Sequence, residues 1–412
     1  MKIKQVLFFL LLVAAFASSA QVTHTRKVLV IGIDGTRSDA LQQANVPHID
    51  SLIATGLYTW NAYHCGITVS GPSWSDIMCG VWEPKHGVTS NSYTNSNYNQ
   101  YPYFITRAKE FIPDLYSVQV TEWAPMSDDV YNDGWDVKIK VPDGQGTPTA
   151  EAAVQYLAVD SLDAMFVYFD AVDLAGHASG FTPSNPNYMA ALEGVDTHVG
   201  TVINAVKARP NYAQENWLIL LITDHGGVGT GHGGNSDNER HIWWIASGNA
   251  VTHQELPGGD PGTTWLLYQI LGTPALDENI LATTPVQTDI GVTALHHLIY
   301  ETGINPEDVG VWDLDGKSWL ETFVSVPENE DDNVIALYPN PANDVVSIWF
   351  DNSKNEALNY AIYNVEGKKA DIKKVITAKD KITFDMSGNA PGVYFVNVVL
   401  GGKTYNKRFV LN

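Results

Sequence analysis

The sequence predicts an α/β fold, a mostly parallel central sheet with helices on both faces, followed by a small all-β sandwich. Three observations carry this expectation. Short apolar runs alternate with segments of helical period, polar glycine-containing clusters follow several of those runs, and residues 335–412 lose the helical period altogether. A continuous apolar run must be covered on both faces, which is the condition of a strand inside a parallel sheet.

The first segment is an export signal. Lys2 and Lys4 precede the apolar run Val6–Ala17, and Ser18-Ser19-Ala20 supplies the small residues of a cleavage site. Residues 1–20 therefore read as a signal peptide, and a mature chain starting at Gln21 is expected to be secreted or held at the cell surface. The apolar run is too short to span a bilayer, and no later run reaches about 18 residues.

Residues 21–324 supply the alternating part. Lys27–Ile33, Ala164–Phe169, Trp217–Thr223 and Ile242–Ser247 read as buried strands; Thr149–Val159, Tyr188–Val206 and Asp289–Glu301 read as helices. Residues 325–334 form an acidic linker that includes Pro327–Asn333. Beyond it, Val345–Phe350, Leu358–Tyr363, Lys381–Phe384 and Gly392–Val399 alternate like the strands of a sandwich.

Composition narrows the function. In 412 residues, 44% hydrophobic and 11% aromatic content excludes disorder throughout. The 46 acidic residues outweigh 24 basic ones, giving −22, which disfavours general binding to nucleic acid or anionic membranes. With only Cys65 and Cys79 present, a disulfide scaffold and a thiolate zinc site are both excluded, so any metal must use His and carboxylate ligands. In an exported chain the two cysteines could pair or pack as buried free thiols, and both readings stay open.

Ligands of such a sheet bind at the carboxyl ends of its strands, and five polar clusters fall at such positions or in glycine-freed loops. Ile33-Asp34-Gly35-Thr36-Arg37 follows the first strand; alone it is equally a turn. Ser70-Gly71-Pro72 opens a helix, where a serine is either a cap or a nucleophile set against the helix dipole and backbone N–H groups. Asp173 and His177 are four apart, the spacing that lets a carboxylate and an imidazole on one helical face share a metal. Asp224 and His225 leave a strand through Gly226 and Gly227. His232 is flanked by glycines that free its backbone. Three Asp and three His converging at one sheet end match the needs of two zinc-like ions, and unpaired carboxylates there would otherwise be costly.

These clusters, with Gly80–Val88 (GVWEPKHGV), resemble the alkaline phosphatase superfamily, most closely its nucleotide pyrophosphatase/phosphodiesterase branch, over Lys27–Phe323. Val46–Leu52 and Thr288-Asp289-Ile290 with Thr293 look like supporting helices of that fold. The resemblance implies two divalent ions, expected to be zinc, one held by Asp173, His177 and His232 and the other by Asp34, Asp224 and His225. It implies Ser70 as a nucleophile that also touches the second metal, and Asn91 as donor to a phosphoryl oxygen. His241 competes with His232 for the last ligand, and the flanking glycines favour His232. Residues 335–412 resemble a type IX secretion sorting domain of Bacteroidetes, on Leu337–Ala342, Tyr363–Gly367, Gly392–Val396 and Lys407–Val410. It implies outer-membrane secretion machinery as a partner.

The expected activity is hydrolysis of phosphodiester or pyrophosphate bonds through a phosphoserine, with a small phosphate ester, such as a nucleotide, as substrate. Trp74 stands where sulfatases of the superfamily carry an arginine after their Cys or Ser and Pro, which disfavours sulfate esters. Phosphate monoester or phosphonate hydrolysis, and a catalytically silent binding protein, are the competing readings. Trp60, Trp74, Trp82 and Tyr93 either stack on a leaving group or pack.

Overall fold

The computed structural model describes residues 25–131, 133–249, 251–264, 272, 274–320, 335–338, 342–350, 358–364, 368–378, 381–400 and 403–411. The expected signal peptide and acidic linker lie outside the described residues.

Eight strands form the central sheet: β1 (Arg26–Ile33), β2 (Leu57–Tyr63), β3 (Tyr116–Thr121), β4 (Val137–Lys140), β5 (Leu162–Phe169), β6 (Asn216–Ile222), β7 (His241–Gly248) and β8 (Gln254–Glu255). Their order is β4-β3-β5-β1-β6-β7-β2-β8. β4, β3, β5, β1 and β6 run parallel, β7 runs antiparallel to both β6 and β2, and β8 pairs parallel to β2. The fold is thus the mostly parallel sheet expected, with one reversed strand that an apolar run cannot announce.

The period of two sorts each central strand between two cores. Val28 and Val30, Phe166 and Tyr168, and Leu218, Leu220 and Ile222 face one side. Leu29, Ile31 and Ile33, Val167 and Phe169, and Ile219 and Leu221 face the other. This two-sided burial is why these strands read as unbroken apolar runs.

Seven helices matter for the site: α1 (Pro47–Ile53), α2 (Ser70–Cys79), α3 (Phe104–Phe111), α4 (Gly146–Leu157), α5 (Ala171–Ser179), α6 (Pro186–Lys207) and α7 (Asp289–Ile299). Ile77 and Met78 of α2, Ile105 and Ala108 of α3, and Ile290, Leu295 and Leu298 of α7 cover the first face. Ile49 and Leu52 of α1, Ala150 and Leu157 of α4, and Leu192, Val199 and Val206 of α6 cover the second. Both cysteines are buried free thiols.

The chain beyond residue 334 forms two antiparallel sheets. One has the order β12-β13-β10-β9 and the other β11-β14-β15, from β9 (Ile335–Tyr338), β10 (Val345–Phe350), β11 (Leu358–Asn364), β12 (Lys374–Ala378), β13 (Lys381–Asp385), β14 (Gly392–Leu400) and β15 (Lys403–Leu411). Val346, Ile348 and Phe384 of the first share a core with Ile362, Val396 and Phe409 of the second. Among the described residues no helix is long and apolar enough to cross a membrane.

At the amino end of the sheet, Lys27 is buried and paired with Asp163 at 3.0 Å, while also donating to Leu162 O at 2.6 Å. Breaking such a pair leaves a buried charge alone, which costs about 3–5 kcal/mol. We expect Lys27→Met to lower unfolding free energy by that amount in denaturant titrations, and adding Asp163→Leu to recover part of the loss; an unchanged midpoint for the single variant would refute the pairing.

Candidate metal centre and active site

Three neighbouring parallel strands deliver the carboxylates. Asp34 follows β1, Asp224 lies just past β6, and β5 leads into α5, whose face carries Asp173 and His177. Because β5, β1 and β6 are adjacent and parallel, their carboxyl ends open on one crevice. The glycine-rich turn after Asp224 brings His225 and then His232 over it.

The ligand atoms fall into two overlapping groups. Atoms of Asp34, Asp224 and His225, and of Asp173, His225 and His232, lie within 4.8 Å of one another in each. His225 Nε2 is 3.3 Å from Asp224 Oδ2 and 3.6 Å from Asp34 Oδ1. His177 Nε2 is 3.3 Å from Asp173 Oδ2 and 3.1 Å from His232 Nε2. His225 therefore stands between the two groups rather than wholly inside one. His241 is elsewhere, stacked on Tyr63 and bonded to Asn61.

The chemistry of this donor set suits cations. Nδ1 of His177, His225 and His232 faces the carbonyls of Thr230, Gly226 and Thr68 at 2.8–2.9 Å. A carbonyl only accepts, so each ring donates from Nδ1 and turns its Nε2 inward. Asp34 Oδ1, Asp173 Oδ1 and Asp224 Oδ2 are buried with no hydrogen-bond donor among the described residues. Two like charges about 4 Å apart repel by ~4 kcal/mol at an effective dielectric of about 20. Burial, reinforced by Asp34, pushes Asp173 up to about 9 and Asp224 well above the carboxylate range; burial also raises Asp34. Burial, and then the neighbouring His232, hold His225 well below the usual imidazole range. Acceptors that resist ionisation and, at His225, a lone pair that resists protonation are jointly relieved by divalent ions.

Second-layer donors fix the inner carboxylates. Tyr168 OH donates to Asp34 Oδ2 at 2.5 Å and Trp74 Nε1 to the same oxygen at 3.2 Å, while Gly35 N–H holds Asp224 Oδ1 at 3.2 Å. Gly32 makes room for Trp74: a Cβ there would lie 2.3 Å from the indole ring. Gly35, at φ 65°, takes a left-handed turn and lies so near Asp173 that a Cβ would stand 2.6 Å from Oδ1. Sequence reasoning missed Tyr168, because its single polar atom is hidden in an apolar strand. For Trp74 the sequence offers packing, stacking or the replacement of a sulfatase arginine, and not this bond to Asp34.

Ser70 is the first residue of α2, almost fully buried, with Oγ 3.5 Å from His225 Nε2. The start of α2 offers an anion little backbone. Gly71 N–H donates to Asn91 Oδ1 at 2.8 Å, Pro72 has no N–H, and Ser73 N–H bonds Val69 O. With Oδ1 of Asn91 engaged by a backbone donor, its Nδ2 is turned outward on an exposed residue. Of the candidate stacking residues, Trp74 and Trp82 are buried in packing, Trp60 lies beside Tyr58, and Tyr93 packs against Trp123.

Two outcomes follow. Tyr168→Phe should weaken zinc retention about 10–100-fold in competition with a chromogenic chelator, and equal retention would remove Tyr168 from the site. A carboxyl whose pKa is raised on folding, as Asp173 is from 3.8 to about 9, stabilises the fold most at low pH and loses that contribution as pH climbs through the window. Chelated protein should melt progressively lower between about pH 5 and 9, and the increment restored by zinc should grow over the same range; melting temperatures rising with pH under chelation would contradict this.

Comparison with known proteins places this architecture. The family model described as type I phosphodiesterase / nucleotide pyrophosphatase matches residues 28–139 and 116–238, and the model of a secretion system C-terminal sorting domain matches residues 336–412. The chain is 22% identical over 247 residues to the bis(5'-adenosyl)-triphosphatase ENPP4 of Bos taurus, an alignment covering 55% of this chain and 53% of that protein. It is 24% identical over 277 residues to an uncharacterized pyrophosphatase/phosphodiesterase of Schizosaccharomyces pombe, covering 62% of this chain and 53% of the relative. The chain thus spans about half the length of these relatives. A solved 2-O GAG sulfatase shares the fold at a TM-score of 0.53 and 14% identity, over 93% of this chain and 83% of the other. With a matching model across just over half its residues, the chain belongs to the type I phosphodiesterase / nucleotide pyrophosphatase family.

Proposed function

We propose that this protein is a secreted, two-metal phosphoesterase that cleaves phosphodiester or pyrophosphate bonds through a phosphoserine on Ser70. The observation that carries the proposal is the convergence of three donorless carboxylate oxygens and three inward Nε2 atoms beside the Ser70 hydroxyl. In this reading Asp173, His177 and His232 hold one ion, Asp34, Asp224 and His225 the other, and zinc suits the donors. When bound, the ions supply the positive charge that lowers the Ser70 pKa and neutralises the phosphoryl oxygens.

The chain's own residues do the rest. Ser70 Oγ forms the new bond to phosphorus in line with the departing oxygen, and water later hydrolyses the ester to regenerate the hydroxyl. Asn91, its amide orientation fixed by Gly71 N–H, directs Nδ2 at a phosphoryl oxygen. Tyr168 and Trp74 keep Asp34 aimed at its ion. Arg37 does not face the substrate, because Asp39 and the carbonyls of Phe181 and Gly227 occupy its guanidinium. Lack of help from that cation favours a diester with one charge over a monoester with two.

We assign residues 1–20 to a signal peptide, 21–324 to the hydrolase, 325–334 to a linker and 335–412 to a sandwich read by type IX secretion machinery. Nucleotides head the substrate screen, since one relative is named for cleaving a bis-adenosyl triphosphate.

Zinc-loaded mature protein should hydrolyse bis-p-nitrophenyl phosphate faster than the monoester. Ser70→Ala should cost about 1,000-fold or more in kcat without releasing zinc. A monoester preference would move the assignment to a phosphatase, and turnover untouched by Ser70→Ala would remove the phosphoserine route.

A further inference from the structure

Glu122 touches none of the residues assigned above to a metal, yet it is fully buried and lies one residue beyond β3. Its Oε2 accepts the backbone N–H of Asp170, the residue after β5, at 3.0 Å. On the other side of that peptide bond, Phe169 O accepts the backbone N–H of Asp34 at 2.9 Å. One peptide unit is therefore held between Glu122 and a metal-binding aspartate. The chain leaving it enters α5, which carries Asp173 and His177.

A peptide group is planar, so its C=O and N–H cannot turn independently. If the N–H lost its acceptor inside this dry region, the unit would rotate to find another, and the carbonyl under Asp34 would rotate with it. The Asp170 side chain completes the arrangement. Its Oδ1 accepts Gly144 N–H at 2.7 Å, and its carboxyl group lies beside that of Glu122. Burial, and then the Glu122 carboxyl beside it, push Asp170 up to about 9. Glu122 Oε1 has no hydrogen-bond partner among the described residues.

We propose that Glu122 is a positioning residue for both metal sites, acting through the Phe169–Asp170 peptide on Asp34 and on the start of the helix that bears Asp173 and His177. The inference rests on the two-metal reading above. It gives a buried acid outside the ligand set a defined route to the metals.

The test counts zinc per folded chain by emission spectrometry after dialysis of the mature protein against a chelator, with the visible spectrum of the cobalt(II) form as a second readout. Glu122→Gln keeps a carbonyl acceptor for Asp170 N–H and offers an N–H to the Asp170 carboxylate. We expect it to retain two ions and the wild-type cobalt spectrum. Glu122→Ala, or Glu122→Met if the smaller side chain does not fold, removes the acceptor. We expect either to bind zinc about 10–100-fold more weakly, to lose at least one ion and to show an altered spectrum. Melting of the zinc-free forms separates this from mere loss of packing: lower stability with both ions retained would overturn the proposal. So would a Gln variant that fell as far as Ala. A wild-type protein that bound no zinc would instead defeat the two-metal reading itself.

Discussion

The structure depends on a repulsion it cannot relieve alone. Asp34, Asp173 and Asp224 are brought to one dry crevice by three adjacent parallel strands and the helix after one of them, and each keeps an oxygen without a donor. Hydrophobic burial of β1, β5 and β6 on both faces holds the carboxylates there. A sheet of this kind gathers whatever polar residues end its strands, and here those are acids.

The surroundings divide into residues that hold the crevice and residues left for substrate. Tyr168, Trp74 and Gly35 N–H anchor the inner carboxylates, and three carbonyls orient three imidazoles. The side toward solvent is sparser, with the Ser70 hydroxyl and Asn91. The protein's strong overall acidity, −22, matters little at this scale, since two dications a few ångströms away would dominate the local field.

Much of this was legible in the sequence, for identifiable reasons. β1, β5 and β6 are buried on both faces, so they appear as apolar runs, and the acids that end them stand out. Asp173 and His177 show their helical spacing directly. β3 was not legible, because Ser117 and Gln119 interrupt its apolar run, nor was β4, where Lys138 and Lys140 do so. Nothing in the composition of Ile242–Ser247 tells that β7 is reversed; direction is settled by pairing with β6 and β2. Glu122 and Tyr168 stayed hidden for a common reason. Each makes its contact with a neighbour that only the folded chain supplies.

The packing of Trp74 against Gly32 carries a lesson about mutational tolerance. Gly32 is the penultimate residue of β1 and is buried in the core, so a reading by location would class it with residues that matter for stability alone. Yet any side chain there must displace the indole, and the indole is one of two donors to Asp34. Variation at this interior position is thereby constrained by chemistry at the surface crevice, and a scan that scored folding and turnover separately would find the two inseparable at residue 32.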